Sequence, residues 1–420
     1  MVFIGGQINM ITTRREYKIM VIYALLIILL GFALDSPRNI AVGLYNIIKD
    51  PDFLITDYIG VGGLGAAFVN SGLLGLIAIY IFYALRINIT GASISAIWLM
   101  IGFALFGKNI FNIWFIIGGV FLYSKFQKDK LSKYIVIAMF GTSLAPLVTQ
   151  VMFGTNIPLF ISVPLGAALG LMTGFILPPL SAYLMRVHQG FNLYNTGFTA
   201  GIIGTIVISV LRSYGFNMEK RLIWTTGNNK VFAIFLILVF VSMIVLAVAL
   251  DKMALKKYKR LFKYSGRLVT DFVALEGFAP TLVNMGINGI FATAYVILIR
   301  ADLNGPTIGG IFTIVGFSAF GKHLKNMTPI FIGVFLGSLT KTFTINDPSI
   351  VLAALFGTTL APISGVFGWK WGIVAGFIHS SVVLNVGSLH AGVNLYNNGF
   401  SGGIVAATLI PIIEALRKDD

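Results

Sequence analysis

Apolar runs long enough to cross a lipid bilayer recur along this chain. Residues 19–34 and 231–250 contain no charged side chain. A helix of about 20 apolar residues spans the hydrocarbon core of a membrane. Of the 420 residues, 57% are hydrophobic and only 11% are charged, whereas soluble domains carry about 25% charged residues. We therefore predict an all-α membrane protein, a polytopic helical bundle without a sizeable soluble domain.

The net charge of +15 would suggest nucleic-acid binding in a soluble protein. In a membrane protein, Lys and Arg concentrate in short loops on the cytoplasmic side, where they meet anionic lipid. We therefore expect contact with the lipid bilayer and no nucleic-acid partner. The chain has no Cys, which excludes disulfides and Cys-ligated metal sites. We expect no metal and no cofactor.

The chain contains an internal duplication, the strongest signal in the sequence. Residues 69–122 align without gaps with residues 283–336 and share 20 identities in 54 pairs. Chance in so biased a composition would give roughly 5 identities, and a match this far above chance is typical of repeat architectures. Three motifs recur: GFALFGK as GFSAFGK (102–108 and 316–322), FGTSLAP as FGTTLAP (140–146 and 356–362), and HQGFNLYNTGF as HAGVNLYNNGF (188–198 and 390–400).

The duplication predicts how the chain is divided. We expect an N-terminal span and outer loop over residues 1–57, membrane repeat 1 over 58–212, a linking span and basic cytoplasmic loop over 213–271, membrane repeat 2 over 272–416, and a cytoplasmic tail over 417–420. Apolar segments near 91–106, 110–124 and 306–320 are short for a complete crossing. Some of these segments are therefore expected to be re-entrant or broken helices.

Basic clusters predict the orientation in the membrane. Lys and Arg concentrate in residues 14–18, 125–133 and 252–267, and counting the crossings puts all three on one side. That side is expected to be the cytoplasm, together with both termini, in the inner membrane of a bacterial cell. The lone span 231–250 would then give the second copy the opposite orientation in the membrane. Inverted-topology repeats place a solute site between the copies near the membrane midplane.

The charges in the loops give evidence both for and against this orientation. Residues 107–109 hold one Lys, whereas the equivalent residues 321–325 hold Lys322, His323 and Lys325, as expected if the second loop is cytoplasmic. The loop 212–230 argues against the orientation, because it falls outside yet carries several basic residues.

The two HxGxNLYN segments are the main candidates for a functional site. Gly and Asn would break the helix between two spans, and irregular backbone survives within a membrane only where protein or a water-filled cavity covers it. The segments would line a polar pathway with His188, Asn192, Tyr194 and Asn195 in repeat 1, and with His390, Asn394, Tyr396 and Asn397 in repeat 2. The alternative is a helix–turn–helix whose polar residues cap neighbouring helices.

Two further polar sets occur at matched positions. Four residues with hydroxyl groups lie one turn before a proline: Thr142, Ser143, Thr358 and Thr359. A proline within a helix frees a backbone carbonyl, to which a hydroxyl can donate. The resulting kink would either line a pore or serve only the packing of helices. Asn70 and Asn284 would either reach the pathway or form hydrogen bonds between helices beside small residues. The matched His188 and His390 suggest a gate, a proton shuttle or a hydrogen-bonding site.

Catalytic motifs are missing from the sequence. It contains no GxxxxGK[ST] phosphate loop and no HExxH pattern, and acidic residues are scarce within the spans. We therefore expect no enzyme, but a channel or transporter for a small polar solute, with the pathway between two inverted repeats. Two alternatives stay open: a membrane enzyme acting on a lipid-linked substrate with His188 or His390 as base, and a non-catalytic subunit of a larger complex. A homo-oligomer also stays open.

The paired HxGxNLYNxGF and FGT[ST]LAP motifs resemble an uncharacterised family of bacterial polytopic membrane proteins, known as a domain of unknown function. That resemblance covers essentially the whole chain and implies no activity. FVNSGLLG (68–75) and QGFNLYN (189–195) are similar in kind to elements of urea-transporter-like channels, which are inverted duplications with half-helices. The Leu-Pro-x-x-Thr-x-Pro-Phe signature of those channels is missing. The second resemblance thus implies an architecture and not urea as the substrate.

Overall fold

A computed structural model describes residues 8–216 and 221–417 of the chain. Over these residues the fold is helical, with one isolated β-bridge between Thr56 and Ile223 and no strand. The prediction of an all-α bundle is therefore confirmed. Most of the expected tail 417–420 and part of the loop 212–230 lie outside the described residues.

The helices follow the two copies of the sequence repeat. The N-terminal part and the first copy comprise α1 (Ile8–Leu34), α2 (Pro37–Lys49), α3 (Tyr58–Ala84), α4 (Gly91–Phe103), α5 (Ile113–Phe126), α6 (Ile135–Gly141), α7 (Ala145–Phe153), α8 (Leu159–Leu184) and α9 (Asn195–Ser213). The linking part comprises α10 (Asn229–Leu250) and α11 (Ala254–Tyr258). The second copy comprises α12 (Phe272–Glu276), α13 (Phe278–Leu298), α14 (Gly305–Phe317), α15 (Leu324–Thr340), α16 (Pro348–Gly357), α17 (Ala361–Phe367), α18 (Trp369–Val386) and α19 (Asn397–Leu416).

The described part of the chain has 9 helices that are long and apolar enough to cross a membrane. α10 is one of them, and it exposes Ile234, Leu238 and Val245 on its surface. Exposed aliphatic side chains along a spanning helix are expected to face lipid. The chain is therefore a multi-pass membrane protein, as its composition predicts.

Three short apolar helices do not cross a membrane by themselves. α4 and α14 have 13 residues and α5 has 14. Each is therefore about 20 Å long at 1.5 Å per residue, whereas the hydrocarbon core is about 30 Å thick. All residues of α14, and all of α4 except Ala92, are buried. The short segments at 91–106 and 306–320 thus form the centre of the bundle.

Residues 37–49 form a helix within the segment expected to be an outer loop. α2 begins with Pro37, and the hydroxyl of Ser36 accepts a hydrogen bond from the backbone N–H of Asn39. Its apolar face buries Ile40 and Ile47 against α3. The sequence reasoning missed this helix because its buried face is narrow and its exposed face mixes polar residues with Val42 and Tyr45.

The two copies bend the backbone at equivalent positions. Arg86 and Arg300 have φ angles of 55° and 56°, and Gln189 and Ala391 have φ angles of 51° and 48°. A positive φ is uncommon for residues other than glycine. Because the same unusual conformation recurs at matched sites, the duplicated sequence also gives duplicated turns.

The two copies are interlocked through the ends of the short helices. The backbone N–H of Gly91, which begins α4, donates at 2.9 Å to the carboxylate of Asp271, the residue just before the second copy. The equivalent Gly305, which begins α14, donates at 3.2 Å to Asp57, the residue just before the first copy. A carboxylate at a helix N-terminus satisfies free N–H groups and complements the helix dipole. The residue before each copy thereby completes a helix of the other.

Candidate functional site

The HxGxNLYN segments interrupt the helices as the sequence predicts. Between α8 and α9, and again between α18 and α19, the chain leaves the helical conformation for about ten residues. Gly190 has a φ of 81°, and a Cβ there would lie 2.9 Å from the carbonyl oxygen of Leu268. Gly392 has a φ of 77° at the matched position. We call these two interruptions knot 1 (residues 185–194) and knot 2 (residues 387–396).

Each histidine is bonded inside its own copy. His188 Nε2 lies 2.9 Å from Asn195 Oδ1, and Asn195 Nδ2 donates to the carbonyl of Ser181 at 3.0 Å. His390 Nε2 lies 3.0 Å from Asn397 Oδ1 in the same arrangement. Because the amide nitrogen of each Asn is used as a donor, its oxygen accepts and the histidine Nε2 carries the proton. The histidines thus tie each knot to the helix that follows it.

The asparagines of the NLYN segments join the two copies. Asn192 Nδ2 donates to the carbonyl of Gly399 at 2.9 Å, and Asn394 Nδ2 donates to the carbonyl of Gly197 at 3.3 Å. The contacts are reciprocal, since Gly197 and Gly399 are repeat-equivalent. α9 and α19 therefore meet at their first turns.

The FGT[ST]LAP motifs receive the knots of the opposite copy. Each motif forms a 3-10 turn, Thr142–Leu144 in the first copy and Thr358–Leu360 in the second. The backbone N–H of Leu193 donates to the carbonyl of Thr359, and that of Leu395 donates to the carbonyl of Ser143, both at 3.0 Å. The expected interruption before each proline is therefore present, and it is a docking point between the copies.

Two tyrosines pack together where the copies meet. The rings of Tyr194 and Tyr396 are 4.8 Å apart between centroids, and both are 1% exposed. A Cβ on Gly197 would lie 2.8 Å from the Cβ of Tyr396, and one on Gly399 would lie 2.9 Å from the Cβ of Tyr194. Glycine at both positions leaves room for the two tyrosines to pack against the first turns of α9 and α19.

Two lysines that sequence reasoning did not select lie beside this tyrosine pair. Lys322 Nζ donates to Tyr194 Oη at 2.5 Å and to Thr358 Oγ1 at 2.7 Å. The matched Lys108 Nζ lies 3.3 Å from the carbonyl oxygen of Met139 and 3.6 Å from Met100 Sδ. Both lysines are fully buried.

The burial of these lysines corrects the loop-charge argument. Lys108, Lys322 and His323 were counted as solvent-facing loop charges, whereas all three are buried and only Lys325 is exposed. The signal that could have found them is the final Lys in both GFALFGK and GFSAFGK. A lysine repeated at the end of an apolar helix that is too short to span is a candidate for a charge held inside the bundle.

Asn70 and Asn284 support the loops that carry the lysines. Asn70 Nδ2 donates to the carbonyls of Ala104 and Lys108 at 2.7 and 2.8 Å. Asn284 Nδ2 donates to the carbonyls of Ser318 and Lys322, both at 2.7 Å. These amides satisfy the carbonyls that a short helix leaves free at its end. They therefore position Lys108 and Lys322 through the backbone.

The hydroxyl groups of the two copies differ in their partners. Thr142 and Thr358 each donate to a carbonyl three residues earlier at 2.6 Å. Thr359 Oγ1 donates to Asn192 Oδ1 at 2.5 Å. The hydroxyls of the matched Ser143 and of Tyr396 have no hydrogen-bond partner among the described residues. The hydroxyls of Tyr194 and Thr359 thus have partners, whereas those of the matched Tyr396 and Ser143 have none.

Each knot borders a cavity. The Tyr194 cavity, of about 400 Å³, is lined by Ser181, Asn195 and Leu268 as well as by Tyr194 and Tyr396. The Asn397 cavity, of about 190 Å³, is lined by the matched residues Val383, Asn397 and Leu54. In both, the loop that begins one copy closes over the knot of the other, since Leu54 N–H donates to the carbonyl of Gly392 and Leu268 N–H to that of Gly190. The two cavities are therefore equivalent in the repeat.

A buried carboxyl group lies in the loop between α2 and α3. Asp52 is fully buried and accepts hydrogen bonds from Thr149 Oγ1 at 2.9 Å and Asn112 Nδ2 at 3.2 Å. Burial raises the pKa of Asp52 well above its usual value, because a carboxylate loses its hydration there. Burial therefore disfavours the charged form of this carboxyl group.

The candidate residues divide into three groups by position. Asn192, Tyr194, Asn394, Tyr396, Ser143, Thr358 and Thr359 lie where the copies meet, and Thr142 shares the Met139 carbonyl with Lys108. His188 and His390 lie within the knots and are bonded to Asn195 and Asn397, the first residues of the helices that follow. Asn70 and Asn284 bond the backbone of the loops that carry Lys108 and Lys322. Their role in a pathway stays a prediction.

A comparison with protein families identifies a relationship across both copies. A family model described as a protein of unknown function (DUF1576) matches residues 36–213 and 250–415. The matched segments include both knots and both buried lysines. No curated protein and no solved structure matches the chain. Because the two segments cover well over half of the residues, the chain belongs to the DUF1576 family of proteins of unknown function.

Proposed function

We propose that this membrane protein is a transporter for a small polar solute, with the pathway between the two repeats. The observation that carries the proposal is the pair of matched cavities, one beside each knot, with the buried Tyr194 and Tyr396 between the two copies. A transporter needs access to one site from two sides, and a duplicated structure supplies two equivalent entrances.

The polar groups at the centre support a transport role. Lys108, Lys322 and two tyrosine hydroxyls are buried among apolar helices. Ionisable groups inside a membrane are expensive, and they usually mark a substrate or ion pathway. Packing alone would be served better by apolar side chains at these positions.

The proposal includes an inverted arrangement of the two copies. In that arrangement the Tyr194 cavity opens toward the cytoplasm and the Asn397 cavity opens toward the outside. The loop contacts agree with this. Residues 251–267, expected to be cytoplasmic, pack against the loop that carries Lys322. The carbonyl oxygen of Tyr264 lies 2.9 Å from His323 Nε2. The loop 212–230, expected outside, contacts the opposite end, where Arg221 pairs with Asp50 at 2.8 Å.

A catalytic role has less support than transport. An enzyme acting on a lipid-linked substrate would use His188 or His390 as a base, but both Nε2 atoms are bonded to the asparagines that begin α9 and α19. A general base must reach the proton that it removes. We therefore expect no enzymatic activity.

The test is solute flux through purified protein in lipid vesicles. A panel of neutral and charged solutes is presented to proteoliposomes, and swelling is followed by light scattering. We expect flux of one solute class, reduced by about tenfold in Tyr194→Phe, since removing one hydrogen bond to a charged group costs about that factor. Tyr183→Phe is the matched control, because Tyr183 is exposed. Absence of flux for every solute would refute the transport function, and equal flux in Tyr194→Phe would refute the pathway.

A further inference from the structure

We propose that the transported solute is a small anion that is attracted to the buried Lys108 and Lys322 and enters through the cavity lined by Tyr194 and Tyr396. This inference rests on the proposed transport function and names the substrate class of the same site. Three features of the described residues lead to it: the charge of the site, its unfilled donors and its size.

The two buried lysines have no carboxylate partner among the described residues. Ion pairs in the described part of the chain involve Lys133, Arg221, Lys257, Arg260 and Lys263, and none involves the two buried lysines. Removing an ammonium group from water is unfavourable unless an opposite charge or good hydrogen bonds compensate. An anion near either lysine would supply the opposite charge that the ammonium form lacks.

The two lysines flank one aromatic stack. Lys322 Nζ lies 4.5 Å from the ring centroid of Tyr194, which packs on Tyr396. Tyr396 packs 4.7 Å from Phe103, and Lys108 Nζ lies 5.0 Å from the Phe103 centroid. An anion beside this stack is attracted by a lysine at either end.

The groups near Lys108 without hydrogen-bond partners include donors, beside one acceptor, Asn70 Oδ1. An ammonium group has three N–H donors, but Lys108 has one oxygen acceptor, at 3.3 Å, and a sulfur at 3.6 Å. The hydroxyls of Tyr396 and Ser143 also lack partners, whereas their counterparts Tyr194 and Thr359 are bonded. The ammonium group and the two hydroxyls can donate hydrogen bonds to an anion.

The cavities set the size of the solute. The larger one holds about 400 Å³ and reaches both tyrosines, and the smaller one holds about 190 Å³. These volumes suit an inorganic anion or a short carboxylate. Tyr194 lines the larger cavity, and its hydroxyl accepts a hydrogen bond from the Lys322 ammonium group.

The experiment compares anions with neutral solutes in vesicles of phosphatidylcholine. Formate, acetate, nitrate and phosphate are presented as potassium salts with valinomycin, so that charge movement does not limit the flux. Urea and glycerol are the neutral arm. We expect flux of at least one anion in the wild type, and a loss of about tenfold or more in both Lys108→Met and Lys322→Met, because each removes a charged donor. Lys125→Met, which removes an exposed lysine, should retain the wild-type flux.

A binding measurement separates loss of the site from loss of the fold. Methionine fills nearly the same volume as lysine without a buried charge, so both variants should unfold at or above the wild-type temperature in detergent. The transported anion should raise the unfolding temperature of the wild type at constant ionic strength, and this rise should disappear in Lys322→Met.

Each contrary outcome identifies what fails. Flux of urea or glycerol without flux of any anion would overturn the anion inference and leave the transport function standing. Anion flux that is unchanged in both lysine variants would overturn the role of Lys108 and Lys322 in attracting the anion. No flux of any solute would overturn the proposed function itself.

Discussion

The two copies place hydroxyl groups at equivalent positions, but only one of these groups is bonded. Thr359 Oγ1 donates to Asn192 Oδ1 at 2.5 Å and accepts from the backbone N–H of Tyr194 at 3.0 Å. Ser143 Oγ has no partner. Thr359→Val and Ser143→Ala remove these hydroxyls with little other change. We predict that the first substitution destabilises the protein and that the second does not.

The expected difference follows from the contacts. Thr359→Val loses two hydrogen bonds, each worth about 0.5–1.5 kcal/mol, so the loss should be about 1–3 kcal/mol. No large additional penalty applies, because the Tyr194 N–H still donates to Asn192 Oδ1 at 3.2 Å. Ser143→Ala loses no bond and removes a buried hydroxyl, so its effect should lie within about 0.5 kcal/mol of zero or be stabilising.

The assay is unfolding in mixed detergent micelles, followed by tryptophan fluorescence, since Trp98 is fully buried. Wild type and both variants are compared at the same micelle composition. Equal destabilisation by the two substitutions, or a larger loss for Ser143→Ala, would refute the argument that the two copies differ in how completely they are bonded.

Two further substitutions test the junction and the lysine loops. Gly197→Ala places a Cβ 2.8 Å from the Tyr396 Cβ and should destabilise the protein by about 1–3 kcal/mol. Its control is Gly118→Ala, whose Cβ would meet only Leu171 Cδ2, at 3.1 Å. This control should lower the free energy of unfolding by less in the same assay. Asn284→Leu removes both bonds that hold the Lys322 loop and should cost about 2–4 kcal/mol. The exposed Asn385→Leu is its control, and equal losses would contradict the supporting role of Asn284.

The membrane class and the helix breaks could be predicted because they depend on nearby residues. An uncharged run at 231–250 predicts a spanning helix, and α10 covers Asn229–Leu250. Gly and Asn in the knots predict interrupted helices, and the chain leaves the helical conformation at both. Composition and local backbone preference suffice for such features.

The centre of the molecule could not be predicted because its contacts join distant residues. Asn192 bonds Gly399, and Lys322 bonds Tyr194, in each case across the two copies. In the sequence, the lysines follow short apolar helices and look like loop charges. Their burial depends on how α4 and α14 pack together. Sequence periodicity carries no information on contacts between such distant segments.

The most direct test of the account is the sidedness of the two cavities. The chain contains no Cys, so single cysteines can be introduced at Met185 and Ser388, which line the Tyr194 and Asn397 cavities. Lys256→Cys and Thr226→Cys serve as references in the loops expected inside and outside. A membrane-impermeant maleimide added to intact cells should label Ser388→Cys, and should label Met185→Cys only after permeabilisation. Labelling of both cavities from the same side would contradict the inverted arrangement and the pathway between the repeats.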